Sequence, residues 1–172
     1  MPHQPLLSEE RWRPSVTVAA IIEKNGQFLL IEEHTPEGLR LNNPAGHLDP
    51  GESPIEACRR EALEECAYDF RPTHLIGIYL SRFQRTSKDN APSEDITYLR
   101  FAFAGELGQF HSDRSLDKGI VRSLWMSPDE IKGSAHLHRS PLLLQCMNDY
   151  LKGQRFGLEM ISTDPSVYLS SF

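Results

Sequence analysis

Gly46 to Tyr68 reads GHLDPGESPIEACRREALEECAY, a turn rich in glycine and proline that runs directly into a short helix. The helix start is explicit. Ser53 suits the N-cap, Pro54 the first helical position, and Glu56 completes a Ser-x-x-Glu capping box. Ile55, Cys58, Ala62 and Cys66 recur at helical spacing, with Leu63 at the edge of the stripe. Such small residues let a helix lie close on a sheet. Arg59 falls near the stripe, so its stem is expected to pack while its charge reaches outward.

The same helix carries Glu61, Glu64 and Glu65. Each residue turns about 100°, so Glu64 lies roughly 60° to one side of Glu61 and Glu65 roughly 40° to the other. All three leave one face, expected to turn away from the core. Acidic runs on helices are usually solvated faces. Here they occupy the C-terminal half, where the macrodipole disfavours negative charge. Arg60 to Glu64 is an i,i+4 pair in the weaker orientation and offsets little of that repulsion. A set of carboxylate oxygens suits Mg²⁺ or Mn²⁺, hard ions that join carboxylates to substrate phosphates. The residues therefore point to a metal-dependent enzyme acting on phosphate esters or anhydrides.

With Gly46, Glu52, Arg60, Glu61, Glu64 and Glu65 all in register, the stretch resembles the Nudix box, G-x5-E-x7-R-E-U-x-E-E-x-G-U, where U is a bulky aliphatic. Ala62 and Tyr68 stand where aliphatics are usual. Ala67 replaces the second glycine, and its Cβ argues against a left-handed helix end. The segments LNNPAGHLDPGE, LHRSPLL and GQRFGLEMI resemble the NudJ group of that family, over Pro14 to Ile161. The resemblance implies an α+β fold, an α/β/α sandwich with a mixed sheet. It implies Mg²⁺, or Mn²⁺, held by Glu61, Glu64, Glu65 and the carbonyl of Ala45, with Glu61, Arg60 and Glu52 in catalytic roles. Arg60 is expected to fix a glutamate rather than touch substrate. The implied reaction is hydrolysis of nucleoside di- and triphosphates and of small organic diphosphates, such as the pyrimidine diphosphate of thiamine synthesis, releasing inorganic phosphate. Two alternatives stand beside it: a pyrophosphatase of nucleoside diphosphates linked to a group such as a sugar, and a Nudix-scaffold binding protein without catalysis. The intact set of acids counts against the last.

Composition is compatible. At 172 residues the chain reads as one domain, Pro14 to Ile161, with an N-terminal extension over residues 1–13 and a serine-rich tail over 162–172 expected to be loosely held. A formal charge of -6 argues against general nucleic-acid binding. Three cysteines without a CxxC give neither a disulfide framework nor a zinc pattern, and Cys58 and Cys66 are expected in the core. No run approaches the ~20 apolar residues of a membrane span, and no apolar leader is seen. The cytoplasm is the expected compartment, a small-molecule nucleotide or organic diphosphate the expected partner, and monomer or homodimer the expected state. Strands are expected over Val16 to Ile22, Gln27 to Glu33 after an Asn25-Gly26 turn, Leu75 to Phe83, Tyr98 to Leu107 and Ile120 to Met126. Gln84 to Glu94 reads as a loop. Helices are expected after Ser127 and from Ser140-Pro141 to about Lys152, the latter with Leu144, Met147 and Leu151 on one side.

Outside the box the candidates are weaker. His47, Arg82 and Arg100 are candidate substrate contacts, although an arginine on a strand more often faces solvent. Asp113 and Asp117 are loop candidates for a general base, each more often an ordinary surface acid. His136 and His138 lack a third metal ligand and read as surface or phosphate-facing. Tyr79, Phe83 and Phe101 have the flat faces to stack on a base, though strand aromatics are more often core. Arg155 belongs to a segment of the resemblance with no role assigned.

Overall fold

In the computed structural model, which describes residues 11–85 and 94–169, the first β-branched run forms β1 (Ser15–Ile21). β2 (Glu23–Lys24) returns into β3 (Gln27–Thr35) through Asn25 and Gly26, at φ 54° and 78°. Two residues at positive φ are what a two-residue hairpin with strand-matched twist requires. β4 (Gly38–Asn42) and β5 (Ala45–His47) follow, then α1 (Pro54–Cys66). The long pair β6 (Tyr68–Arg85) and β7 (Glu94–Phe110) precedes β8 (Ile120–Met126), α2 (Pro128–Gly133) and α3 (Leu142–Leu151).

One sheet runs β5-β1-β7-β6, with β1 and β7 parallel and the other pairs antiparallel. In the second, β2, β4 and β8 all pair antiparallel with β3. Successive residues of a strand face opposite sides, and β1 shows the consequence. Ala19 and Ile21 join a core with Ile76, Ala102, Leu143, Cys146 and Met147, beneath α3. Val18 and Ala20 join another with Phe103, Ala57, Cys58, Ala62 and Cys66, beneath α1. Helices thus cover both faces of a mixed sheet, the expected α/β/α sandwich. No helix among the described residues is long and apolar enough to cross a membrane.

Several expectations need correction. β6 and β7 extend well beyond their apolar centres, because backbone ladders and cross-strand ion pairs such as Arg71–Glu106 carry the pairing through polar sequence. The ends of the expected Gln84 to Glu94 loop are therefore strand, and residues 86–93 lie outside the described residues. β4 and β5 were not expected. In α3 the buried face is Leu142, Leu143, Cys146 and Met147, whereas Leu151 is exposed. The tail is not free along its length: Pro165–Tyr168 forms a 3-10 turn, and the Tyr168 hydroxyl donates to Glu56 Oε2 at 2.9 Å. Of the N-terminal extension, residues 1–10 lie outside the described residues, as do residues 170–172 of the tail.

Candidate active site

The capping box forms as its residues dictate. Ser53 Oγ accepts the Glu56 N–H at 3.2 Å, and Glu56 Oε2 accepts the Ser53 N–H at 2.8 Å. At the other end, Ala67 does adopt the left-handed conformation (φ 57°, ψ 27°) that its Cβ was expected to resist. Its N–H closes the helix on the Leu63 carbonyl, and its own carbonyl accepts the His111 N–H at 2.8 Å. Tertiary hydrogen bonds override the local preference there.

The acidic face is not turned away from the protein. Glu61 is 7% exposed and Glu65 9%, while Arg59, expected to pack its stem, is exposed. The cover is β5, which pairs with β1 through Val18↔Gly46 and Ala19↔Ala45. A Cβ at Gly46 would lie 2.1 Å from Glu61 Oε1, so any larger residue there would push that carboxylate out of its place under the strand. Ala45 N–H donates to Glu65 Oε2 at 2.7 Å.

Arg60 ties the turn to the helix. Its Nε and Nη2 grip both oxygens of Glu52 at 3.0 and 2.7 Å, a bidentate fork. Nη1 reaches Glu61 Oε1 at 2.7 Å and Glu64 Oε2 at 3.0 Å, and Nη2 also donates to the His47 carbonyl at 2.9 Å. Glu52 Oε1 in turn accepts the Asp49 N–H at 2.8 Å. Hydrogen bonding to Arg60 holds the Glu52 carboxyl below the usual carboxylate range, and the Glu52 contact is the main reason the guanidinium is held firmly charged.

Glu65 lies at the other extreme. Desolvation pushes its carboxyl up to about 9; the Ala45 N–H opposes this, and the nearby charges of Glu61, Glu33 and Asp117 add to it. Glu61 is raised too, first by desolvation and against the pull of Arg60. Of the two loop acids, Asp117 acts on both glutamates, and its N–H is held by the Glu64 carbonyl at 3.0 Å. Asp113 is exposed in a turn. Glu33 on β3 is a further acid at the site, with no motif to announce it. Among the described residues no three His, Cys, Asp or Glu side chains are gathered into a finished metal cage. Arg60 draws Glu61 and Glu64, and Glu65 turns to Ala45. The donor chemistry nonetheless fits a hard divalent cation: oxygens only, two of the carboxylates buried at a cost a cation would relieve, and a glycine cradle around one of them.

A cavity of about 440 Å³ opens beside the turn, lined by Ala45, Gly46 and His47 and, next to them, by Thr17, Arg100 and Asn42; Thr17 pairs with His47 on one side and Arg100 on the other. The His47 ring lies 6.3 Å from that of Tyr98, which also lines the cavity and was not singled out from the sequence. Arg100 is 8% exposed and does not face solvent. Arg82 does: it stands at the rim, paired with Asp95. Of the aromatic candidates, Phe83 lines the cavity, Phe101 packs on the α1 side, and Tyr79 is core, its hydroxyl donating to Asp149 at 3.2 Å. His138 bonds the Ile131 carbonyl, and with His136 it borders a separate cleft. Arg155 stacks on the Tyr150 ring at 3.8 Å, a structural role. A second opening of about 630 Å³ between α1 and the β6–β7 pair is lined by Arg59, Arg60, Arg71 and Glu106; neither opening is lined by Glu61, Glu64 or Glu65, and the cavity beside β5 is the one bordered by the Ala45 to His47 segment that covers two of those acids.

The NUDIX domain profile matches residues 11–146. Phosphatase NudJ of Escherichia coli is 37% identical over 150 residues, covering 87% of this chain and 92% of that protein. A NUDIX hydrolase from Nitrosomonas europaea superposes with a TM-score of 0.77 at 47% identity, over 88% of this chain and 98% of that one. A MutT protein from Methanosarcina mazei shares the fold alone, at 21% identity and a TM-score of 0.59 over 85% of this chain and all of that one (100%). The profile spans most of the chain and the relatives match it over most of their own length, and the chain belongs to the Nudix family of hydrolases.

Proposed function

We propose that this Nudix hydrolase is a Mg²⁺-dependent phosphatase of nucleoside di- and triphosphates and of small organic diphosphates, releasing inorganic phosphate. The observation that carries the reading is the Arg60 hub, with Glu52, Glu61 and Glu64 on one guanidinium and Glu65 buried beside Ala45. The name of the NudJ phosphatases supports phosphate release, and a cavity of about 440 Å³ suits a small substrate.

Glu61, Glu64, Glu65 and the Ala45 carbonyl would hold the ion. When bound, it supplies charge neutralisation at the phosphate oxygens and acidifies a water. The chain's own residues do the rest. Arg60 holds Glu61 and Glu64 to one side of the turn while Glu52 fixes the guanidinium plane, so the acids are aimed before substrate arrives. Gly46 lets β5 exclude water from the Glu61 carboxylate, and of the two loop acids Asp117, whose charge reaches Glu61 and Glu65, is the one assigned to accept a proton.

The test is a panel of nucleoside diphosphates, triphosphates, sugar-linked nucleotides and organic diphosphates, with products separated. Free phosphate is the expected product. Paired monophosphates from sugar-linked nucleotides would overturn the phosphatase reading in favour of a pyrophosphatase, and silence across the panel would overturn both.

A further inference from the structure

Among the described residues, buried side-chain nitrogens and oxygens without a hydrogen-bond partner fall on four residues, and three of these, Thr17, Asn42 and Arg100, line the cavity beside the box. Folded proteins pair nearly all such groups, so a cluster of exceptions in one cavity asks for a ligand. The placement is fixed by the sheet. β1 and β7 run parallel with Thr17 opposite Arg100, so the two side chains leave the same face, in phase with Ala19 and Ala102 beneath α3. Arg100 is more than nine-tenths buried, and neither its Nε nor its Nη1 has an acceptor. Glu33 and Glu65 act on it only through their field, and burial pulls its pKa down without discharging a guanidinium. Other cations on the cavity are engaged: Arg82 by Asp95, and Arg139 with Glu37 at 3.9 Å.

We propose that Arg100, with the Thr17 hydroxyl beside it, is a specificity-determining phosphate subsite that takes the substrate's diphosphate oxygens in the cavity beside the Ala45 to His47 segment. A neutral carbonyl or ring nitrogen would supply an acceptor and leave the buried charge uncompensated, whereas a phosphate oxygen supplies both acceptor and charge. Asn42 Nδ2 donates to Glu33 at 3.3 Å, which leaves its Oδ1 as an acceptor. That atom repels an anion and marks where the organic part of the substrate presents a hydroxyl or amino group. The subsite rests on the phosphoanhydride-hydrolase reading above and adds the residues that select a diphosphate.

The test uses the full chain with Mg²⁺ and imidodiphosphate, a bridging-nitrogen analogue of pyrophosphate, titrated calorimetrically into wild type, Arg100→Met and Thr17→Val. Arg100→Met is expected to weaken imidodiphosphate by at least about tenfold and to raise KM for a nucleoside diphosphate by a similar factor. Its Tm should stay level or rise, because it removes an unpaired buried charge. Thr17→Val should weaken the same binding about tenfold, the loss of one hydrogen bond to a charged oxygen, and carries the test if Arg100→Met does not fold. Unchanged imidodiphosphate binding in the variants overturns the subsite, as does a raised nucleotide KM without weaker imidodiphosphate, which would mean that Arg100 reads the organic group. Absence of imidodiphosphate binding to wild type also overturns it. If wild type hydrolyses nothing in the substrate panel, the function reading fails separately. If wild type is active and Arg100→Met matches it, only the subsite fails.

Discussion

Arg60 donates to three carboxylates and a carbonyl and stands partly exposed at the edge of the turn, whereas Arg100 is buried on β7 with two nitrogens unmatched. The contrast separates two uses of one side chain. A guanidinium whose acceptors are all protein groups has little left to offer a substrate; it sets the geometry of its partners. One that is buried without acceptors gains nothing for the fold and waits for a group from outside. The first is written into a sequence motif because its partners lie within one turn and one helix. The second is assembled by parallel pairing of strands far apart in the chain.

The largest expected effect on this contrast comes from neither arginine but from the glycine beside Arg60's partner. Gly46→Ala drives a methyl into Glu61 and displaces a carboxylate that Arg60 aims. A displacement of about 1 Å at a reacting centre is worth about a hundredfold, so kcat should fall by that order, measured by phosphate release at saturating substrate. Arg60→Gln comes next, with an expected loss of about ten- to a hundredfold, the usual range for a group that orients metal ligands. The split between parameters sharpens the comparison: Arg60→Gln should act mainly on kcat and lower Tm, while Arg100→Met acts mainly on KM and does not. Equal behaviour of the two variants would break it.

A smaller effect follows from Glu65. Its folded pKa is raised to about 9 from the ordinary 4.5, so between those values the folded chain holds a proton that the unfolded chain has released. Stability therefore falls as pH rises through that window. Tm measured in chelator should decline from pH 5 to 9, Mg²⁺ should flatten the decline, and Glu65→Gln should abolish it. A Tm that climbs with pH over this range would contradict the assignment of Glu65 as a buried, desolvated acid. The smallest effect is at the helix end. Ala67→Gly removes the left-handed strain but also a buried methyl, so a gain below about 1 kcal/mol is expected by denaturant unfolding.

Much of this was legible because it is local. Ser53, Pro54 and Glu56 fix where α1 begins, and Gly46, Glu52, Arg60, Glu61, Glu64 and Glu65 fix what it carries. The burial of Glu61 and Glu65 was not, because it depends on β5, whose Ala-Gly-His has no periodicity to declare a strand. β4 is equally silent, with Gly38 and Arg40 interrupting its apolar residues. Arg100 did leave a signal. It alternates in phase with Ala102 and Ala104, the small residues that α3 covers, and that phase argues for a buried position against the solvent-facing one expected of a strand arginine. Glu33 and Asp117 reach the acids only through tertiary structure, one from β3 and one from the loop before β8.

The central claim is that the acids around Arg60 bind a divalent ion that makes phosphoanhydride hydrolysis possible. Phosphate release from a nucleoside diphosphate, compared for wild type with Mg²⁺, wild type with chelator and Glu65→Gln with Mg²⁺, tests it most directly. The expected result is activity in the first alone, with at least about a hundredfold less in the other two. Full activity in chelator, or in Glu65→Gln, would contradict it.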